Sequence, residues 1–391
     1  MKSSLIRIMY VIGSLDIGGT EKQLYLLLKY LDRSRFEPLV VSLSSDGHWT
    51  VPIRDLNVEL IEIRRQKSFE IKRLLSLIQM IKQYEPDIIH GLQSPGNTYG
   101  PLASILARQG KTIASRRSFH NVTLHPLINK LMDKLIYRRV DAVLCNSKFL
   151  KEDLKNRYGR NINGITIYNG IEWDQTFQTK NVEKLKTELG LPLDAKVVGT
   201  VGRLVGFKNH RMFLEIAQEI LKEQPNIYFL LIGGGPLETE LRSYAKQLRI
   251  TERIIFTGKR SDVGKILNVF DIFLFTSLRS ADEGEGLSNA VMEAMLCGVP
   301  CVVSNVSGAE ELFKEGEAGF LIDPHKKNVF VEKTLALLNQ ENMRERMGQK
   351  GKIIIQEKLS AQNMARQHEM LYTSLVNKCF SGELGYKSDF Q

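Results

Sequence analysis

Only four cysteines occur in the 391 residues, Cys145, Cys297, Cys301 and Cys379, and none forms a C-x-x-C pair. In a chain of this size they make no disulfide framework, and a reducing compartment is favoured. Long apolar runs are missing as well. The longest near the start, Ile8 to Ile12, is too short for a signal segment. No later run reaches the ~18 residues that a membrane-spanning helix needs, so the protein is expected on the cytosolic side. There is no G-x-x-x-x-G-K-[ST] stretch, which argues against a P-loop nucleotide hydrolase, and no strict G-x-G-x-x-G, which weakens a dinucleotide dehydrogenase. Acid is scarce in the first half: residues 1–180 hold 27 Lys+Arg against 17 Asp+Glu, whereas residues 181–391 hold 27 against 27. A one-sided basic half suits nucleic acid, an anionic membrane or an anionic substrate. No zinc-finger, RNP-type or heptad basic-region pattern accompanies it, so nucleic acid is set aside.

What is present is an alternation. The length favours two domains over one core. The opening strand Leu5 to Ile12 is continuously apolar, as a parallel strand covered on both faces should be, and ends in the glycine-bearing loop Gly13 to Thr20. There Gly18 and Gly19 can take positive φ and let a ligand approach the backbone, while Thr20 can cap the helix Glu21 to Leu31. Strands and helices then alternate to about Ile167, predicting an α/β doubly wound domain with ligands outside the carboxyl ends of its strands. Between Arg108 and Arg139 lie eight basic residues and one acid, Asp133. Within that stretch the helix Leu124 to Arg139 carries Leu124, Leu127, Ile128, Leu131 and Leu135 on one face and Lys130, Lys134 and Arg138 on another. It suits an anionic bilayer, but a core-packed helix with a solvated basic face is the commoner source of such a pattern, a gap that the one-sided charge excess narrows without closing.

After a polar connector, Tyr168 to Gly190, a second α/β domain follows. Its strands Val197 to Val201, Ile227 to Ile232 and Ile254 to Thr257 end in Gly202-Arg203, Gly233-Gly234-Gly235 and Gly258-Lys259-Arg260. Three glycine or basic loops on one rim predict a phosphorylated ligand there. Arg203 and Lys208, five apart across a turn, can grip two phosphates or be plain surface cations. The stretch Asp282 to Pro300, DEGEGLSNAVMEAMLCGVP, places Glu285 just before a predicted helix Leu287 to Leu296 and Glu293 about two turns inside it. A helix start between two acids can hold a phosphate while the acids accept from sugar hydroxyls; the competing reading is an ordinary helix start with a partnered Glu293.

GTVGRLVGFKNH, FLLIGGGPLETEL, IIFTGKRSDV and EGLSNAVMEAMLCGVPCVVSNVSGAEEL followed by GFLIDP span Gly199 to Pro324 in an order that resembles the retaining family 4 glycosyltransferases. IGGTEKQ, SRRSFHN and YNGI fall where that family has comparable segments, so the likeness covers about residues 1 to 376. It implies a GT-B fold: two Rossmann-like doubly wound domains facing across a cleft, with a C-terminal helix returning to the first. The boundaries expected are 1–172 for an acceptor-side domain, 173–192 for a linker, 193–360 for the nucleotide-sugar domain, 361–378 for the returning helix and 379–391 for a mobile tail.

By that resemblance Arg203 and Lys208 hold the diphosphate of a nucleotide sugar, Glu293 the ribose and Glu285 the sugar. Gly286, Leu287, Ser288 and Asn289 present backbone N–H groups to the donor. Gly18 and Gly19 approach its phosphate from the first domain, Lys259 and Arg260 lie near the base, and His120 lies near the reacting sugar; His90 is a second histidine candidate. The longer run Ser277 to Gly286, with two Glu-Gly pairs, departs from the family's short Ser-x-x-Glu-Gly, and spacing to Glu293 selects Glu285 over Glu283. No cofactor or metal is expected, which fits the lack of a D-x-D pair. The resemblance implies a hexosyl or N-acetylhexosaminyl donor, with UDP favoured over GDP. The acceptor is expected to be a lipid-linked or polysaccharide chain in bacterial cell-surface glycan synthesis, with the basic first domain on the inner face of the plasma membrane. A sugar-nucleotide epimerase or phosphorylase on the same plan, or a non-catalytic sugar-nucleotide sensor, are the alternatives.

Overall fold

The computed structural model describes residues 5–63, 70–117, 126–173, 177, 181–279, 284 and 286–377. The chain divides into two units, one within residues 1–170 together with the helix Ala361–Val376, the other within residues 171–360.

The first unit is a seven-stranded sheet of β1 (Ile6–Ile12), β2 (Phe36–Ser42), β3 (Glu59–Glu62), β4 (Ile88–Leu92), β5 (Lys111–Arg116), β6 (Ala142–Cys145) and β7 (Gly164–Thr166). Their order is β3-β2-β1-β4-β5-β6-β7 and every pairing is parallel. Ile8 to Ile12 are wholly buried because helices cover both faces, which explains a strand without polar alternation. One face buries Ile8, Tyr10 and Ile12 with Leu24, Leu27 and the returning helix's Met364, Leu371 and Tyr372; the other buries Met9 and Val11 with Leu77, Ile81 and Tyr99. Each large side chain so buried contributes about 1.5–3 kcal/mol, so the returning helix is part of this core. A polar line reinforces it: the Tyr10 hydroxyl lies 3.2 Å from that of Tyr372, which lies 2.9 Å from His90 Nδ1.

Several boundaries differ from expectation. The first helix is Gly19–Tyr30, starting two residues early, so Thr20 lies inside it and Gly18 is the N-cap, without a side-chain capping bond. Gly18 has φ −166°, an extended conformation, and Gly19 is helical, so neither adopts positive φ. A Cβ at position 18 would meet the Glu21 carboxylate, the movable end of a flexible side chain. The stretch 173–192, read as a linker, carries the helix Val182–Glu188, whose start Asn181 caps by accepting from Lys184 N at 2.8 Å, and it falls in the second unit. The helix expected over 124–139 runs Pro126–Tyr137, with proline in the first turn, where no intrahelical hydrogen bond is lost. Among its described side chains Ile136 and Tyr137 are buried, while Leu135, expected on the apolar face, is 48% exposed beside exposed Lys134 and Arg138. The tail 379–391 lies outside the described residues.

The second unit is a six-stranded parallel sheet, β8 (Lys196–Val201), β9 (Ile227–Ile232), β10 (Ile254–Gly258), β11 (Ile272–Phe275), β12 (Cys301–Ser304) and β13 (Gly319–Ile322), in the order β10-β9-β8-β11-β12-β13. Its core joins Val198, Phe229 and Leu274 to Phe213 and Phe330 from flanking helices. Both units are Rossmann-like, as the resemblance implies.

Candidate functional site

In the second unit the strand order reverses between β8 and β11, and ligands of open parallel sheets bind outside the carboxyl ends of strands at such a point. Two loops meet there. After β8 the chain turns through Gly202 and Arg203, makes a 3-10 turn Gly206–Lys208, and passes left-handed Asn209 (φ 52°) into the helix His210–Glu223. After β11 come Thr276 and Ser277. The loops are tied together: Leu278 N donates to the Phe207 carbonyl at 2.6 Å, and Thr276 Oγ1 to those of Asn209 at 3.1 Å and Lys208 at 3.4 Å. Lys208 is 7% exposed, with Nζ 4.9 Å from the Phe275 ring centre and 5.9 Å from that of Phe207. A cation with its stem buried and its head against aromatic faces is pre-positioned, and gains some cation–π attraction. Arg203, by contrast, is exposed.

The glycine loop after β9 supports this turn from the side. Gly202 N donates to the Ile232 carbonyl and Leu204 N to that of Gly234, and Gly233 adopts φ 142° where a Cβ would collide with the Gly202 carbonyl. After β10, Lys259 is exposed, whereas Arg260 is forked onto Asp262, with Nε–Oδ1 2.8 Å and Nη2–Oδ2 2.6 Å. That hydrogen bond raises the guanidinium's pKa, so Arg260 stays charged but is held within its own loop.

The helix of the acidic motif is Asn289–Leu296, with Ser288 as an extended N-cap that makes no side-chain capping bond. Leu287 therefore lies outside the helix, buried, and Glu293 is its fifth residue, little more than one turn in rather than two. Glu293 is half-buried and Gly286 is buried. Glu285 and His120 lie outside the described residues. Gly286 and Ser288 line a small pocket together with Phe275, Val291, Ser277 and Ser307. The buried hydroxyls of Ser277 and Ser307 have no partner among the described residues. Neither was anticipated, since a lone serine in a loop carries no signal of burial.

His90 is a correction. It lies within β4, wholly buried, with Nδ1 on the Tyr372 hydroxyl and Nε2 2.7 Å from Ser115 Oγ, and burial holds its pKa well below the ordinary value. It is a satisfied core histidine, because the strand runs on to Leu92 instead of ending at His90.

The first unit has its own switch point, between β1 and β4. Left-handed Gln93 (φ 61°) opens the helix Gln93–Ala107 and accepts from Ser14 N at 3.0 Å. Glu21, 7% exposed, is hydrogen-bonded by Gln93; burial raises its carboxyl pKa against that bond and against Arg117. Arg117, pulled down to about 10 by burial, donates Nη1 to Asn169 Oδ1 at 2.6 Å. Sequence reading missed this polar group: its members come from four separate stretches and only the sheet order assembles them. Gly18 and Gly19 adjoin it through Glu21.

The fold and these sites have counterparts. Residues 17–175 match the family model described as Glycosyltransferase Family 4, and residues 181–353 match Glycosyl transferases group 1. A UDP-Gal:alpha-D-GlcNAc-diphosphoundecaprenol alpha-1,3-galactosyltransferase of Escherichia coli is 29% identical over 294 residues, 72% of each chain. The capsular polysaccharide biosynthesis glycosyltransferase CapM of Staphylococcus aureus is 24% identical over 90% of this chain and 93% of its own length. The solved structure of Anabaena Alr3699/HepE in complex with UDP-glucose superposes with a TM-score of 0.82 at 22% identity, covering 94% of this chain and 99% of that one.

Proposed function

Because the chain belongs to the glycosyltransferases of family 4 and group 1, with the GT-B fold, we propose that it is a retaining enzyme of cell-surface glycan synthesis. It moves a hexosyl or N-acetylhexosaminyl residue from a nucleotide sugar, UDP- before GDP-linked, to a hydroxyl of a lipid-linked or polysaccharide acceptor. The observation that carries the reading is the buried Lys208 fixed at the β8/β11 switch point with Arg203 on the same turn. Names of the relatives, a UDP-galactose-dependent transferase onto a diphosphoundecaprenol acceptor and a capsular polysaccharide transferase, support the donor and acceptor classes.

In this reading Arg203 and Lys208 take the diphosphate, and the backbone N–H groups of Gly286 to Asn289 at the helix start face it. Glu293 accepts from the ribose hydroxyls and Glu285 from the sugar. Lys259 and Arg260 lie toward the base, and Gly18, Gly19 and His120 serve the donor phosphate and the reacting sugar. The acceptor hydroxyl bonds to the anomeric carbon on the face from which the carbon–oxygen bond to the leaving diphosphate breaks, and the hydroxyl proton passes to that phosphate. The two cations and the helix end neutralise the leaving charge in place of a metal. The polar group Glu21, Gln93, Arg117 and Asn169 suits acceptor hydroxyls, which need both donors and acceptors.

Among the described residues no helix is long and apolar enough to cross a membrane. Exposed Leu135 with Lys134, Arg138 and Arg139 supports peripheral docking on the anionic inner face of the plasma membrane.

A panel of UDP- and GDP-sugars, read by the shift in melting temperature, identifies the donor. With that donor Glu285→Ala should lose transfer while keeping the wild-type melting profile; near-normal turnover in the variant would refute the role of Glu285.

A further inference from the structure

His210 sits directly beneath the turn that carries both cations. Its ring is 4% exposed, and Nε2 lies 3.2 Å from the Arg203 carbonyl, which also accepts from Val205 N at 2.9 Å. A carbonyl only accepts, so this contact assigns the hydrogen to Nε2 and leaves Nδ1 as a bare lone pair. Nδ1 is buried without a partner among the described residues. Gly202 closes the arrangement from the other side: a Cβ there would stand 3.4 Å from Lys208 Cε and 3.6 Å from His210 Cε1. Burial holds the imidazole neutral, with a pKa of about 4, so it adds no charge beside Lys208. An aliphatic side chain would fill this space without burying an unpartnered nitrogen, which leaves the Nε2 hydrogen bond as the feature that needs histidine.

We propose that His210 is a positioning residue for the diphosphate clamp, its Nε2–H holding the Arg203 carbonyl so that the Arg203 turn keeps its guanidinium on the donor's diphosphate. The inference rests on the reading of Arg203 and Lys208 as that clamp. Left-handed Asn209 lets the chain return beneath its own turn, and the Thr276 bonds to the Lys208 and Asn209 carbonyls fix the far side. His210 supplies the near side. Without it the Arg203 carbonyl keeps, among the described residues, the tight bond from Val205, and the exposed guanidinium loses its backbone reference.

The test uses the whole chain, with UDP and GDP as calorimetric probes and the melting temperature as the fold control. Glutamine places an amide N–H near the Nε2 position and asparagine near that of Nδ1, so the two variants separate the hydrogen bond from polarity and packing. His210→Gln is expected to bind the preferred nucleotide within about threefold of wild type and His210→Asn about tenfold more weakly, the size of one hydrogen bond. Equal affinities in the two variants, whether both retained or both lost, overturn the proposal. Arg203→Ala and Lys208→Ala run alongside. If these bind like wild type, the clamp itself is wrong; if they lose binding while His210→Asn does not, only the role of His210 falls.

Discussion

Lowering the pH from 8 to 5 should destabilise both units, through a different histidine in each. His368, on the returning helix of the first unit, and His210 in the second are both buried, and burial pulls each pKa from 6.5 to about 4, opposed by hydrogen bonds to the Met364 and Arg203 carbonyls. The unfolded chain takes up the proton first as pH falls. The stability each contributes is thus whole above about pH 6.5 and drains away toward pH 4. At pH 5 the two pKa values imply a loss of about 2 kcal/mol per histidine, against a typical domain stability of about 5–15 kcal/mol. His90, lowered in the same direction, adds to the loss in the first unit. Glu21 acts oppositely there, because its raised pKa costs stability as pH climbs past its ordinary value and returns it as pH falls. The chain has two tryptophans, Trp49 in the first unit and Trp173 in the second, so Trp173→Phe and Trp49→Phe backgrounds report each unit's urea unfolding separately. In these backgrounds His368→Asn, which keeps a donor near the Nδ1 position but cannot titrate, should flatten the pH dependence of the first unit only. His210→Gln should do so for the second. A midpoint unchanged between pH 8 and 5, or a slope unaffected by these variants, would show that the imidazoles are not buried as neutral groups.

Three further outcomes follow from the geometry. Lys208→Ala removes a buried charge-assisted contact and should weaken binding of UDP about 10- to 100-fold by calorimetry, and an unchanged affinity would refute the clamp. Gly233→Ala combines φ 142° with a clash against the Gly202 carbonyl and should cost about 3 kcal/mol or more in the urea unfolding of the second unit, together with nucleotide affinity; a loss below about 1 kcal/mol contradicts the close approach. Replacing Lys130, Lys134 and Arg138 by Ser should release the protein from liposomes containing anionic lipid, and undiminished co-sedimentation would remove that helix from membrane docking.

Legibility in the sequence followed the range of the interactions involved. The strand Ile227–Ile232 matches its sequence reading residue for residue, because a strand covered on both faces is continuously apolar and stops at a turn residue. The glycine loops and the order of the motifs are likewise local patterns. Helix starts were less legible: Thr20 and Leu287 were misplaced because a cap is defined by backbone direction, and Gly18 and Ser288 take the cap position without a side-chain bond.

By itself the sequence determined two α/β units, glycine and basic loops on one rim of the second and a basic first half, since apolar period, glycine placement and charge are all written along the chain. Only the tertiary structure decided which polar side chains are buried and against what. His90 became a core histidine because a tyrosine from the returning helix, 282 residues away, reaches its ring. Lys208 became a fixed cation because Phe275, at the end of a neighbouring strand, covers it. Glu21, Gln93 and Arg117 became one group because the strand order brings the ends of β1, β4 and β5 together, and Arg117 reaches Asn169 from there. Burial and long-range pairing depend on sheet order, and sheet order is a property of the whole chain that no local stretch encodes.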